Sequence, residues 1–285
     1  MEFRTIVDIP EPGFRIRPFE EMLFVGSCFA TEIGRHFREE QFRATVNPYG
    51  VMYNPASILH TIVRLYSTVP SDIQSLKTVF LTLGTNHVYR LKETGEIVDN
   101  CQKRPQSLFT EEELSVDECA DYLQQAIGIL RQINPMIHIV LTVSPIRYRK
   151  YGYHGSQLSK ATLFMAVERV LGNFGIQGNP DNFSESRTAY FPAYEILNDE
   201  LRDYRFYQED MLHPSQQAVD YIWERLAEFY FSDEAKTFLK EWRPIKQALN
   251  HKPFALESDE YRRFQEQTKF RLTELQEKYP ALKEI

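Results

Sequence analysis

The sequence has few of the residues and patterns that mark metal-binding, disulfide-stabilised or membrane proteins. It has only three cysteines, Cys28, Cys101 and Cys119, and none belongs to a CxxC pair or a zinc-spaced His/Cys cluster. Such a sparse, odd set indicates reduced thiols rather than a disulfide framework. No run approaches the about 18 apolar residues that a membrane span needs. We therefore expect no metal or other cofactor and no membrane-spanning segment.

Positive charge is also scarce, with 33 Lys and Arg against 40 Asp and Glu and a net charge of −7. This balance argues against nucleic-acid binding as the main function. Residues 1–14 contain Glu2, Arg4, Asp8 and Glu11, so they lack the apolar core of a secretory signal. We expect a cytoplasmic globular protein, and the sequence does not indicate its oligomeric state.

Short apolar runs, each ended by a polar or turn residue, predict five strands. They cover residues 22–25, 42–46, 78–83, 137–143 and 188–191. Because these runs are apolar throughout, the strands should be buried on both faces, as in a parallel sheet. Helical spacing is found at residues 29–37, 56–65, 116–133, 159–171 and 215–230, the last with Ser215 as a candidate N-cap. This alternation predicts a three-layer α/β/α domain.

The composition changes at residue 232, after which Lys, Glu, Gln and Arg dominate. We therefore divide the chain into a domain over residues 1–231 and a charged helical extension over residues 232–285. The extension is expected to pack on the domain or on a partner.

Sites in parallel sheets form at the carboxyl ends of the strands. Gly26-Ser27-Cys28 follows the first strand, where a helix begins. Glycine permits a tight turn, and a helix N-terminus stabilises a nucleophile's anion and presents N–H groups to an oxyanion. The plainer alternative is that Cys28 is a small buried apolar residue under the helix.

Three further positions complete a possible acyl-transfer site. Asp210 and His213 precede the last helix, where the carboxylate can fix the imidazole tautomer for general-base catalysis. Gly50 and Asn86 follow the second and third strands, where each could donate to an oxyanion. The plainer alternatives are a solvated loop for Asp210 and His213 and ordinary turns for Gly50 and Asn86.

The order of these motifs resembles the sequence blocks of the SGNH hydrolases. Residues 26–30, Gly-Ser-Cys-Phe-Ala, further resemble the signature that names the GSCFA family, a distant SGNH relative. Similar matches occur at residues 47–50, 144–147, 159–161, 190–195 and 203–213, so that the resemblance spans roughly residues 24–223. It implies a flavodoxin-like SGNH fold and hydrolysis of an ester or related acyl bond, and it does not supply the substrate. As the partner we expect a small-molecule or carbohydrate-linked acyl ester.

The sequence departs from the SGNH pattern at the nucleophile. SGNH enzymes usually begin with Gly-Asp-Ser, and aligning the glycines places Cys28 where serine stands. We favour Cys28, because a thiol at a helix N-terminus is well placed to attack as a thiolate. The alternative is Ser27 as nucleophile, with Cys28 packed under the helix.

Three other residues are interpreted from the same comparison. His87 stands where many SGNH enzymes carry Asp, and we interpret it as a surface residue rather than one that lines the pocket. Arg147 follows the fourth strand and is either a clamp for an anionic substrate group or a solvated arginine. Lys160 is interpreted as a surface lysine rather than an anion-binding residue.

Two other functions fit the same residues. An acyltransferase would use the same site, with a sugar or alcohol in place of water. A non-catalytic binding module would keep the fold without the chemistry, but we disfavour it because Gly50, Asn86, Asp210 and His213 all occur together.

Overall fold

The computed structural model describes residues 4–99, 101, 103–173, 187–252 and 258–284. The strands are β1 (Glu21–Gly26), β2 (Arg43–Val46), β3 (Thr78–Leu83), β4 (His87–Leu91), β5 (Ile97–Val98), β6 (Phe109–Glu113), β7 (His138–Val143) and β8 (Thr188–Tyr190). The helices are α1 (Cys28–Glu39), α2 (Pro55–Thr68), α3 (Pro70–Ser75), α4 (Val116–Ile133), α5 (Gly152–Asn173), α6 (Ala193–Glu195), α7 (Gln216–Tyr230), α8 (Asp233–Leu249) and α9 (Asp259–Lys278).

The main sheet has five parallel strands in the order β2-β1-β3-β7-β8. Each of the five predicted apolar runs forms one of these strands. Counting only the strands of this sheet, the order is 2-1-3-4-5, which is the flavodoxin-like arrangement. The predicted α/β fold is therefore confirmed.

Successive residues of the central strands face opposite layers. Leu23 and Val25 of β1 belong to a core that includes residues of α2, α4 and α5. Met22 and Phe24 of the same strand belong to a second core with residues of α1 and α7. Both faces of the strands are thus covered, which explains why their sequences are apolar throughout.

A second, antiparallel sheet in the order β5-β4-β6 is inserted between β3 and α4, and it was not predicted. Its strands lack continuous apolar runs, since β6 reads Phe-Thr-Glu-Glu-Glu and has mostly exposed residues. Asn86 and Leu114 close the base of the insertion with two hydrogen bonds, from Leu114 N to Asn86 O (2.9 Å) and from Asn86 Nδ2 to Leu114 O (2.8 Å).

The C-terminal helices form a third apolar cluster with a segment near the start of the chain. Phe238, Trp242 and Tyr279 pack together with Phe19. Trp242 Nε1 also donates to the carbonyl oxygen of Glu39, at the end of α1 (3.3 Å). The charged extension thus packs on the α/β domain, one of the two placements predicted for it. None of the helices in the described ranges has the length and apolar character needed to cross a bilayer.

Candidate active site

The candidate site begins at the turn between β1 and α1. Gly26 has a φ of +147°, and a Cβ atom there would lie 2.1 Å from the carbonyl oxygen of Thr82 on β3. Its N–H donates to Asn47 Oδ1 (2.9 Å), while the N–H of Ser27 donates to Thr82 O (3.1 Å). Two neighbouring strands therefore fix the turn, and only glycine fits at position 26.

Ser27 and Cys28 have different environments. Ser27 is fully buried and caps α1, with its Oγ accepting from the N–H of Phe29 (3.3 Å). Cys28 is partly exposed, and its Sγ lies 3.8 Å from the hydroxyl oxygen of Tyr53. As the first residue of α1, Cys28 has an N–H without an intrahelical acceptor. Of these two side chains, the thiol is the one within reach of a substrate.

Tyr53 was not identified from the sequence, because it lies in the loop before α2 rather than directly after a strand. Its carbonyl oxygen accepts from the N–H groups of Gly84 (2.9 Å) and Thr85 (2.8 Å), which follow β3. Its ring meets that of Tyr148 edge to face, with centroids 6.2 Å apart. Burial, with the nearby Cys28 thiol, raises the pKa of Tyr53 to about 12. The Tyr53 hydroxyl therefore stays protonated at neutral pH and can donate a hydrogen bond.

Asp210 and His213 form a compact hydrogen-bonded unit. Asp210 Oδ2 lies 2.6 Å from His213 Nδ1, and Oδ1 accepts from the N–H groups of Leu212 (2.8 Å) and His213 (3.0 Å). Between them, Met211 has a φ of +60°, which residues other than glycine seldom adopt. The hydrogen bonds from His213 and Leu212 lower the pKa of Asp210 to about 2, so it is ionised at neutral pH.

The contacts of this loop place it at the carboxyl edge of the main sheet. Arg147, which follows β7, donates from its backbone N–H to Leu212 O (3.2 Å) and from its guanidinium to Met211 O (3.3 Å). Cys28 begins α1 directly after β1, at the same edge of the sheet. The loop and Cys28 thus lie at the same edge. Among the described residues, no hydrogen bond joins His213 to Cys28.

Both predicted oxyanion donors have other acceptors in the structure. The N–H of Gly50 donates to Asn47 O (2.9 Å) and closes a turn. The Asn86 amide is buried and donates to Leu114 O, at the base of the inserted sheet. An oxyanion role for either residue stays a prediction, and for Gly50 it would require loss of the turn hydrogen bond, because its single N–H is already engaged.

The interpretation of His87 and Lys160 as surface residues is wrong. His87 is 8% exposed and stacks on Tyr151, with ring centroids 3.5 Å apart; burial lowers its pKa. Lys160 is 1% exposed, and its Nζ donates to the carbonyl oxygens of Gly84 and Ser144, both at 2.7 Å. Burial lowers the pKa of Lys160 to about 7. Lys160 thus links the segments that follow β3 and β7, beneath the site.

Arg147 lines a cavity of about 220 Å³ beside the Asp210–His213 loop. Its guanidinium lies 4.3 Å from the ring centroid of Tyr207. Within the described ranges, no group of three or more His, Cys, Asp or Glu side chains is arranged to hold a metal ion.

The fold is an α/β sandwich with a flavodoxin-like strand order, and a partly exposed thiol follows its first strand. The chain matches the GSCFA family over residues 21–73 and 66–226, and its residues 242–283 match the GSCFA domain protein, C-terminal domain. This chain belongs to the GSCFA family.

Solved structures with a similar course of the chain include several esterases. An acetyl esterase variant with bound acetate is 11% identical, covering 78% of this chain and 99% of its own, with a TM-score of 0.43. A family 3 carbohydrate esterase from Clostridium thermocellum is 12% identical (81% and 100%, TM-score 0.39). A variant of an acetyl-xylooligosaccharide esterase from Geobacillus is 12% identical (78% and 98%, TM-score 0.44). No curated protein sequence matches the chain.

Proposed function

We propose that this protein is an acyl hydrolase in which Cys28 is the nucleophile, His213 the general base and Asp210 the residue that orients His213. The observation that carries the proposal is the Asp210–His213 unit, held by three hydrogen bonds at the same edge of the sheet as a partly exposed thiol. Ser27 is unsuited to the nucleophile's role because it is fully buried and caps α1.

The first half of the reaction forms a thioester. The ionised Asp210 accepts a hydrogen bond from His213 Nδ1–H, which leaves Nε2 as the basic nitrogen. Nε2 takes the proton from Cys28 Sγ, and the sulfur attacks the acyl carbonyl carbon. His213 then returns that proton to the departing alkoxide, so an alcohol leaves and the acyl group stays on Cys28.

The negative charge on the carbonyl oxygen needs donors close to the sulfur. We assign this role to the N–H of Cys28, at the positive end of the α1 dipole, and to the Tyr53 hydroxyl, 3.8 Å from Sγ. We do not assign this role to Gly50, whose single N–H already donates to Asn47 O, or to Asn86, whose buried amide bonds to Leu114 at the base of the inserted sheet.

The second half of the reaction releases the acyl group. His213 removes a proton from water, the resulting hydroxide attacks the thioester carbon, and the carboxylic acid leaves with the thiol restored. An acyltransferase would follow the same steps with an alcohol or sugar hydroxyl in place of water. The two activities therefore differ only in the product that is released.

Trapping the acyl-enzyme tests the proposal directly. The protein is mixed with 4-nitrophenyl acetate, quenched in acid, digested and mapped by mass spectrometry, together with the His213→Ala variant. We expect an acetyl group on Cys28 that forms at least 100-fold more slowly in His213→Ala. Cys101, which is also partly exposed, serves as an internal control for ordinary thiol reactivity.

The competing outcomes are distinct. Equal labelling of Cys28 with and without His213 would reduce Cys28 to a merely reactive thiol and refute the assigned base. Labelling of Ser27 instead would refute the nucleophile. Full ester turnover by Cys28→Ala would refute the mechanism as a whole.

A further inference from the structure

The lining of the cavity next to the Asp210–His213 loop is positively charged, in contrast to the acidic chain as a whole. Its lining residues are Ile146, Arg147, Tyr153, Ser156, Gln157, Tyr194, Asn198 and Tyr204. They include one permanent positive charge and no carboxylate, although the whole chain carries a net charge of −7. At about 220 Å³ the cavity is smaller than the roughly 300–1,000 Å³ of pockets that enclose a whole ligand, so it suits one part of a substrate.

Arg147 is held in place by neutral groups. Its guanidinium donates to the Met211 carbonyl and lies over the Tyr207 ring. In the described part of the chain, no carboxylate oxygen lies within 4 Å of it, whereas Arg35, Arg90 and Arg225 each have such a partner. A guanidinium has five N–H donors, and its contacts to the Met211 carbonyl and the Tyr207 hydroxyl leave donors for a ligand. Arg147 is therefore a cation fixed in position and not neutralised by the protein.

The other polar groups of the cavity wall largely satisfy one another. Tyr194 donates to Gln157 Oε1 (2.7 Å), Asn198 Nδ2 donates to the Tyr194 carbonyl (2.9 Å), and Asn198 Oδ1 accepts from Tyr207 (3.2 Å). These bonds give the wall a defined shape. Arg147 remains the strongest group available to a ligand, and Tyr153 and Tyr204 offer largely exposed rings beside it.

We propose that this cavity binds a carboxylate group on the leaving-group side of the substrate, with Arg147 as its partner. Both backbone and side chain of Arg147 bond to the loop that carries His213, the residue that donates a proton to the leaving group. A planar guanidinium matches the two oxygens of a carboxylate. The assignment to the leaving-group side rests on the proposed function, whereas the binding of the carboxylate rests on the cavity alone.

A matched pair of esters measures the preference. 4-Acetoxybenzoate and its methyl ester carry the same acyl group, and they differ in charge at the far end of the leaving group. We expect kcat/KM of the wild-type protein to favour the carboxylate. Arg147→Gln should lower that preference about 10- to 100-fold, as expected for the loss of a hydrogen-bonded charge pair. Arg147→Lys should restore only part of it, because an ammonium lacks the two-pronged geometry.

The control is Arg149→Gln, which removes the same charge two residues away and outside the cavity lining. This variant should leave the ratio of the two esters unchanged. A ratio near one in the wild-type protein, or an equal fall in Arg147→Gln and Arg149→Gln, would overturn the inference while leaving the acyl hydrolase proposal intact.

Binding without turnover separates the two proposals. In the Cys28→Ala protein, we expect calorimetry to detect 4-hydroxybenzoate but not methyl 4-hydroxybenzoate, and the signal to disappear in Cys28→Ala/Arg147→Gln. Equal binding of both compounds, or no binding of either, counts against the cavity as a carboxylate site. Circular dichroism of each variant shows that the folded protein is compared throughout.

Discussion

The proposed chemistry depends on a few atoms around the start of α1. The Cys28 sulfur has the Tyr53 hydroxyl 3.8 Å away, and its own N–H lies at the end of a helix. Both groups donate hydrogen bonds, so both stabilise charge on the sulfur or on an oxygen attached to the carbon that it attacks. The proposed rate acceleration therefore depends on two donors, of which the Tyr53 hydroxyl can be removed by substitution.

Replacing the Tyr53 hydroxyl tests its assigned role. Tyr53→Phe removes one donor to the oxyanion, and we expect the rate of Cys28 acylation to fall about 10- to 1,000-fold. Alkylation of Cys28 by iodoacetamide, which forms no oxyanion, should fall far less. Tyr66→Phe, on the similarly exposed side chain of α2, is the matched control and should change neither rate. Equal losses in both reactions would assign Tyr53 to holding the thiol instead.

The Asp210→Asn variant tests whether Asp210 orients the His213 imidazole, because it keeps the bonds that shape the loop and changes only the contact with the ring. The amide oxygen can still accept from the N–H groups of Leu212 and His213, but its NH₂ group would face His213 Nδ1. That arrangement favours the wrong tautomer, so we expect turnover to fall on the order of 10²–10⁴ with a nearly unchanged melting temperature. Turnover within threefold of wild type would contradict the assigned role.

Burial of Lys160 links stability to pH. Its pKa is about 7 in the folded protein and about 10.4 when unfolded, so between these values the unfolded chain binds more protons. Stability from this residue therefore increases as the pH rises from 7 to 9, by about 2 kcal/mol. Urea unfolding at both pH values should show this increase in the free energy of unfolding for the wild type and not for Lys160→Met. A difference between the two proteins that does not change with pH would refute it.

At the scale of elements, the turn after β1 is the most constrained. Gly26→Ala combines a φ of +147° with a contact of 2.1 Å to Thr82 O, and we expect it to cost more than about 4 kcal/mol of unfolding free energy. Gly128→Ala is the matched control on the exposed face of α4, where an added Cβ meets nothing within 4 Å. It should stabilise by about 0.5–1 kcal/mol. Similar effects of the two changes, measured by urea unfolding, would contradict this account.

The elements that the sequence predicts are those whose hydrophobic pattern indicates burial in the main sheet or in the helices that cover it. All five parallel strands and the helices that cover them follow from apolar runs and helical spacing, and Ser215 caps α7 as expected. The inserted sheet escapes this reasoning because β4 and β6 are partly solvated and depend on pairing with one another. Their stability comes from contacts between residues 18 to 26 positions apart, which no local pattern reveals.

The positions of the candidate site residues were predictable where a residue directly follows a strand or precedes a helix. Cys28, Asp210 and His213 stand at such places. Tyr53 does not, and its contact with Cys28 exists only once β1, β3 and the loop before α2 have come together. The prediction for Lys160 was wrong for a related reason. The sequence around a lysine in a helix does not show whether its ammonium is solvated or bonds to two carbonyl oxygens that follow strands.

At the scale of the whole molecule, the C-terminal helices share their core with the N-terminal segment. Phe238→Ala removes a fully buried ring that contacts Phe19, Trp242 and Tyr279, and we expect a loss of about 3–5 kcal/mol. Phe270→Ala removes a ring that is 64% exposed on α9 and should cost less than about 1 kcal/mol. Chemical denaturation measures both. Equal small effects would show that the extension contributes little to stability.

The division at residue 231 stays a prediction about domains. The extension has its own apolar cluster, yet Lys246 pairs with Glu39 (3.4 Å) and Glu40 (2.7 Å) at the end of α1. Ile16 also exchanges backbone hydrogen bonds with Tyr230 and Ser232 on either side of the boundary. These contacts favour unfolding of both parts in a single transition.

The bond between Trp242 and Glu39 joins residues 203 positions apart, and this separation has a consequence during synthesis on the ribosome. At about 5–20 residues per second, the end of α1 is made roughly 10–40 seconds before its tryptophan partner. Throughout that interval the Phe19 ring and the end of α1 lack the covering that they have in the finished protein. The nascent chain therefore presents apolar surface that chaperones can recognise until its last helices emerge.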